Sequence, residues 1–231
     1  MRSSALLAVV VFGAAVAVSA TSHKSCPLDG LEIEGLPSSI PPSQLPLSFV
    51  SAAIGTQNYT CSPSNNYTLV GAVAELYDIS CLGKSTLFTS VQDWLFGMWV
   101  DAPADLTSQA LVSSYTLTRG SAVLGDHYFV PNPSGKPGNS PKWDFTSTGA
   151  FKGNKDAFVT VEKFAGSAAP TGPEDIDWVA TNGIDGSLSA QVYRTDTREG
   201  QPPSSCQHGS SPDIQVKYGS KYWFYGSKLQ H

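Results

Sequence analysis

A mainly β fold, an antiparallel sandwich or barrel-like domain with one short helix and a proline-rich N-terminal strap, is what this sequence predicts. Three observations carry that expectation. Several segments alternate apolar and polar residues with period two, the spacing that buries one face of a strand. Clusters of Gly, Pro, Asn and Ser punctuate them as turns. Strands and helices do not alternate along the chain, so nothing builds a parallel sheet.

The first twenty residues hold one positive charge, Arg2, then an uncharged apolar run from Ala5 to Val18, then Val18-Ser19-Ala20. That is the pattern of a secretory signal peptide over 1–20. The run is shorter than the about 20 apolar residues of a membrane span, and polar chain follows it rather than basic stop-transfer residues. A secreted, extracellular protein without a membrane span after cleavage is therefore expected. Prolines 27, 37, 41, 42 and 46 deny the next segment ladder donors, so 21–50 reads as an extended strap and 51–231 as a single β-rich domain.

Within that domain Val70, Ala72, Ala74 and Leu76 share one strand parity, as do Leu188, Ala190 and Val192, and Ile214, Val216 and Tyr218. Phe158 to Phe164 is a further strand candidate, rich in aromatic and β-branched residues. The single helix is expected from about Thr86 to Val100. There Leu87, Val91, Trp94, Leu95 and Met98 recur at three- and four-residue steps behind a candidate Ser85 cap, with Gly97 weakening the pattern.

Charge narrows the partners. The formal net charge is −5 and no basic run exists, so nucleic acid and anionic membranes, which need clustered Lys and Arg, are not expected partners. The four cysteines, Cys26, Cys61, Cys81 and Cys206, form no Cys-x-x-Cys pair. In an oxidising compartment their even number implies two disulfides, and spacing leaves all three pairings open. Asn58-Tyr59-Thr60 and Asn66-Tyr67-Thr68 are glycosylation sequons, which places Asn58 and Asn66 towards solvent if they are used.

Candidate chemistry is sparse. Gly125-Asp126-His127-Tyr128-Phe129 sets an imidazole beside a carboxylate, and Trp143-Asp144-Phe145 offers a second acid; His127, Asp144 and Asp126 are thus the catalytic candidates, against a reading in which they make turn and capping hydrogen bonds. Glu174, Asp175 and Asp177 beside Trp178 suggest a calcium or sugar site, or paired acids for glycoside cleavage, but a solvated acidic loop pinned by Ile176 and Trp178 is favoured. The run from Tyr193 to Arg198 offers an anion-binding site, but Arg194 and Asp196 share a strand parity and are read as simply pairing with each other. No cofactor and no metal are expected. A copper alternative is signal cleavage after Ser22, which would expose His23 at the N-terminus to bind copper together with His127. Phosphate-cradling glycine loops, His-Glu-x-x-His and Gly-x-Ser-x-Gly are absent.

Gly55-Thr56-Gln57-Asn58-Tyr59-Thr60-Cys61, Gly71 to Asp78, Gly125 to Phe129, Val192 to Thr197, Pro202 to Cys206 and Tyr222 to Tyr225 together resemble a family of secreted fungal proteins, with bacterial relatives, whose domain has no assigned function. Glu199-Gly200 departs from the Gly-Gly that the resemblance implies. Two of these blocks hold Cys61 and Cys206, which favours that pair and leaves Cys26 with Cys81 to fasten the strap. Family members often carry a malate dehydrogenase label, which the resemblance would import. The chain offers neither the glycine-rich turn nor the parallel sheet of a dinucleotide site, so the activity is not expected.

The favoured expectation is a non-enzymatic extracellular or cell-wall-associated fungal protein, developmental or host-contact related, with wall polysaccharide or a host surface as its partner. The alternatives are a secreted carbohydrate-active or copper-dependent enzyme, and a carbohydrate-binding module presenting Tyr222, Trp223 and Tyr225.

Overall fold

The computed structural model describes residues 26–108, 110–111 and 123–229. The signal peptide expected at 1–20, and His23, lie outside the described residues. Eight strands run along the chain: β1 (Leu47–Cys61), β2 (Tyr67–Asp78), β3 (Val123–Pro131), β4 (Asn139–Asp144), β5 (Phe158–Ser167), β6 (Trp178–Gly186), β7 (Gln191–Glu199) and β8 (Ile214–Tyr225). Each pairs antiparallel with its sequence neighbours and β8 returns to β1, so the sheet closes into an up-and-down barrel. Closure decides between the two expected architectures, because a barrel leaves no unpaired sheet edge.

Two apolar layers hold the barrel. The lumen is filled by Phe49, Leu76, Trp143, Phe145, Val159, Val192, Tyr218, Tyr222 and Phe224 among others. A second layer lies outside the wall, where Val50, Ala52, Ile54, Tyr193 and Trp223 are covered by Ile40 of the strap and by Phe88, Val91, Leu95 and Trp99. Strand β1 is therefore apolar on both faces, as a strand with both faces covered must be.

The covering helix begins later than its periodicity suggests. Thr86–Thr89 is a 3₁₀ turn, and the α-helix, α1, spans Val91–Val100. Ser85 caps the turn, its side chain accepting from the Leu87 N–H at 3.1 Å. From α1, Val91, Leu95 and Trp99 point into the outer layer, and the Trp99 indole donates to the Gly55 carbonyl at 2.8 Å. At the helix end the Lys217 ammonium donates to the carbonyls of Trp99, Val100 and Ala102 at 2.8, 3.2 and 2.8 Å, satisfying acceptors that the helix itself leaves open.

The segment from Cys26 to Pro46 runs without helix or strand across the outside, as a strap. Tyr193 donates to the Pro41 carbonyl and Gly226 to that of Pro46. The disulfides are Cys26–Cys81 and Cys61–Cys206. The second fastens the 202–211 segment to the end of β1, where Cys206 and His208 also donate backbone N–H groups to Asn65.

Two local expectations change. Arg194 and Asp196 do not pair: Asp196 sits at φ 49 in an irregularity of β7 and faces Lys221 at 3.6 Å, while Arg194 donates to the Asp177 carbonyl at 3.2 and 2.9 Å. The acidic loop is not wholly solvated either. Ile176 and Trp178 are pinned into the core as expected, but Asp175 is buried with them, accepting from the Thr171 hydroxyl and the Glu199 N–H. That second bond holds Glu199 at φ 54, a left-handed conformation that side chains rarely adopt and that the Gly-Gly of the resembled family would take without strain.

Candidate functional site

Strand alternation separates the three catalytic candidates. His127 faces the lumen, stacked on Trp143, whereas Asp126 and Asp144 oppose each other in the β3–β4 register on the outer face. There Asp144 accepts from Tyr128 and Thr146 and pairs with Lys142 at 2.8 Å. Burial pushes the Asp144 carboxyl up, but the hydrogen bonds from Lys142, Thr146 and Tyr128 outweigh it and hold the group well below the usual carboxylate range. Asp126 is pushed up, by burial first and then by Asp144. The barrel wall stands between the imidazole and both acids, so the structure does not assemble them into an acid–base pair. Among the described residues no three His, Cys, Asp or Glu side chains are grouped to hold a metal ion.

His127 is 2% exposed. Its Nδ1 lies 2.9 Å from the Lys142 carbonyl; a carbonyl only accepts, so Nδ1 carries the proton and Nε2 keeps its lone pair. Desolvation lowers its pKa to about 4, with the Lys142 carbonyl opposing and the Arg194 charge assisting. The ring is neutral at physiological pH.

What the lumen does assemble is a polar belt inside an aromatic core. Ser51, Tyr222 and Arg194 are register partners across β1, β8 and β7, and directly opposed residues of antiparallel strands face the same side. Tyr222 reaches the far wall, its ring centroid 5.2 Å from Trp143 and 5.7 Å from His127. Its hydroxyl lies 3.0 Å from that of Tyr218. Burial raises the Tyr218 pKa well above its ordinary value, Tyr222 adds to this, and Arg194 and the Gln57 amide oppose it. Tyr59 donates to the Gly200 carbonyl at 2.7 Å; burial lifts its pKa to about 12 against the pull of Arg194, and Asp177 adds to the rise.

Three buried polar atoms of this belt have no hydrogen-bond partner, Ser51 Oγ, Trp143 Nε1 and Ser220 Oγ, while the Gln57 amide is directed at the Tyr218 hydroxyl. Sequence reasoning singled out His127 here, and Arg194 as part of a candidate anion site without placing it in the lumen, but missed Ser51, Gln57 and Ser220. A signal for Arg194 existed in its parity with Val192, an apolar position of the same strand.

Other expected surfaces stand differently. Tyr222, Trp223 and Tyr225 are all buried, so none of these three rings offers a platform for sugar stacking. Asn66 is exposed in the turn after β1, and Asn58 is half-buried on β1 with its side-chain oxygen accepting from Thr56. A surface groove of about 630 Å³ lies between Phe96, Glu174, Glu199 and Val216, and a pocket of about 210 Å³ lies under the strap above the Lys221 side chain. Among the described residues no helix is long and apolar enough to cross a membrane.

No curated protein and no solved structure matches the chain. A family model described as a protein of unknown function, DUF3455, matches residues 41–226, from the end of the strap through all eight strands. The chain belongs to that family.

Proposed function

We propose that this is a secreted protein of a filamentous fungus that acts outside the cell, at the wall or at a contacted surface, by binding rather than by catalysis. The observation that carries this reading is the pair of disulfides, which uses every cysteine and spans sequence separations of 55 and 145 residues. Long-range bridges of this kind persist in oxidising compartments and are rare where thiols are kept reduced. The signal-like N-terminus supports the same compartment. Against catalysis stands the separation of His127 from Asp126 and Asp144 by the barrel wall. Wall polysaccharide or a host surface is the proposed partner.

The test is to fractionate a producing culture into medium, wall and cytosol, then determine the N-terminus and intact mass of the recovered chain. The expected form starts at Thr21, takes up no alkylating reagent until reduced, and then takes up four equivalents. Recovery only from the cytosol, or with alkylatable thiols before reduction, overturns the proposal. A start at His23 with bound copper would instead favour an oxidative enzyme.

A further inference from the structure

A lysine lies buried beneath the strap beside an open volume. The Lys221 residue is only 3% exposed, and it lines the pocket of about 210 Å³ that the strap closes over. An ammonium carries three N–H donors. Among the described residues its ion-pair partner is Asp196, 3.6 Å away, whose other carboxylate oxygen already accepts from the Thr195 hydroxyl. On another side stands the Phe88 ring, its centroid 4.8 Å from the nitrogen, which offers a π face and no oxygen. Asp196 takes at most one donor, so at least one is left to the pocket. Burial draws the Lys221 pKa down and Asp196 opposes it, the balance of a cation that a further acceptor would stabilise.

The strap side of the pocket carries the opposite chemistry. Glu32 and Glu34 line it and are exposed, so solvent meets two carboxylates that only accept. The strap is held there by the Cys26–Cys81 bridge and by Leu31, which packs so closely on Gly83 that a Cβ would not fit between them. With Asp196, the lining bears three carboxylates against the one ammonium of Lys221. It therefore disfavours an anionic occupant and favours one that presents acceptor oxygens to Lys221 and a cation to the strap. The volume lies below the about 300 Å³ at which drug-sized pockets begin and equals roughly seven waters, which is room for one sugar ring and too little for a chain.

We propose that the pocket under the strap binds the terminal amino-sugar residue of a deacetylated wall polysaccharide, whose hydroxyls accept from Lys221 and whose ammonium faces Glu32 and Glu34. This rests on the reading of the protein as one that binds the wall, and gives that reading a site and a ligand class. The two fail separately: fractionation of the culture tests where the chain acts, and titration of purified protein tests the pocket.

The test titrates the full secreted chain by calorimetry at pH 6 and constant ionic strength with a glucosamine tetramer, glucosamine, glucuronate and tetralysine, a polycation without hydroxyls. The tetramer is expected to bind one to one and at least as tightly as glucosamine, and glucuronate not to bind. Glu32→Gln with Glu34→Gln, both at exposed positions, should weaken the tetramer several-fold. Lys221→Met makes the pocket more negative, so attraction by charge alone would tighten binding, whereas loss of the buried donor should weaken it about tenfold or more. If Lys221→Met does not fold, the glutamate double variant decides alone. Unchanged or tighter tetramer binding in either variant, tetralysine bound as tightly as the tetramer, saturation by glucuronate, glucosamine bound without the tetramer, or no binding of either sugar overturns the proposal.

Discussion

The His127 imidazole lies flat against the Trp143 indole, ring centroids 4.4 Å apart and planes 14° apart, on strands that pair the two residues directly across the β3–β4 ladder. Such packing suits a neutral ring. A proton added to His127 would be a charge inside an aromatic core with the Arg194 guanidinium nearby, which is why its pKa falls to about 4.

Stability should therefore depend on pH through this residue. Its folded pKa lies below the unfolded value of about 6.5, so the unfolded chain binds the extra proton first. The contribution is complete above about pH 6.5 and is lost as pH falls towards 4, by roughly 3 kcal/mol in all. Asp126 and Glu75, whose pKa values are raised by burial, act with the opposite sign, so the comparison must be with a variant. His127→Phe should flatten the wild-type slope of unfolding free energy between pH 4 and 6.5. It should also lose about 1–2 kcal/mol at neutral pH, because the Lys142 carbonyl loses its donor. An unchanged slope in urea titrations would show that His127 does not titrate in that window.

Glycines 219 and 97 should respond to alanine in opposite directions. A Cβ on Gly219 would stand 2.9 Å from the Phe96 Cβ, where α1 rests on β8, so Gly219→Ala must lift the helix off the barrel and should cost about 1–3 kcal/mol. Gly97 lies exposed within α1 with nothing within 4 Å of such a Cβ, and Gly97→Ala should stabilise by about 0.5–1 kcal/mol through helix propensity alone. Thermal melts of the two variants check both signs. A neutral Gly219→Ala would mean that the helix seat is softer than its geometry.

The β character, the helix and the strap were legible in the sequence because each is a local pattern. Ala72, Ala74 and Leu76 announce an inward face by alternation alone, and Ser85 announces a helical start by its chemistry. The lumen was not legible, for a physical reason. Val50 to Ile54 reads as a nearly continuous apolar run because one face lines the barrel and the other lies under α1, so alternation cannot say which parity points inward. Ser51 looks like an interruption in that run until closure shows it opposite Tyr222. His127 and Asp126 look like partners because they are adjacent in sequence, and adjacency on a strand is what puts them on opposite sides of the wall.

Lys217 gathers three carbonyls at the end of α1, and its ammonium also lies 4.7 Å from the Trp99 ring centroid. Lys217→Met keeps much of the aliphatic stem and removes the charge. It should cost about 1–2 kcal/mol and speed amide exchange in Val91–Val100 more than in the barrel strands. Lys217→Arg should recover part of the loss. Uniform exchange across helix and barrel in Lys217→Met would show that α1 does not open as a separate unit.

The two disulfides should differ in weight. In the loop-entropy account a bridge stabilises by restricting the unfolded chain, and its effect grows with the logarithm of the loop it closes. Cys61–Cys206 closes a separation of 145 residues and Cys26–Cys81 one of 55, which favours the first by about 1 kcal/mol. Their folded-state roles point the same way. The strap keeps hydrogen bonds from Tyr193 to Pro41 and from Gly226 to Pro46 when Cys26 is released, so the Cys26→Ser, Cys81→Ser double variant should remain folded, with early proteolysis confined to the segment before Leu47. The Cys61→Ser, Cys206→Ser variant frees the 202–211 segment that shapes one end of the barrel. It should lose about 4–5 kcal/mol against about 3–4 for the other pair. Urea unfolding of the two double variants measures the difference, and a larger loss from the strap bridge would mean that the strap, not the barrel-end clamp, is the main staple of the fold.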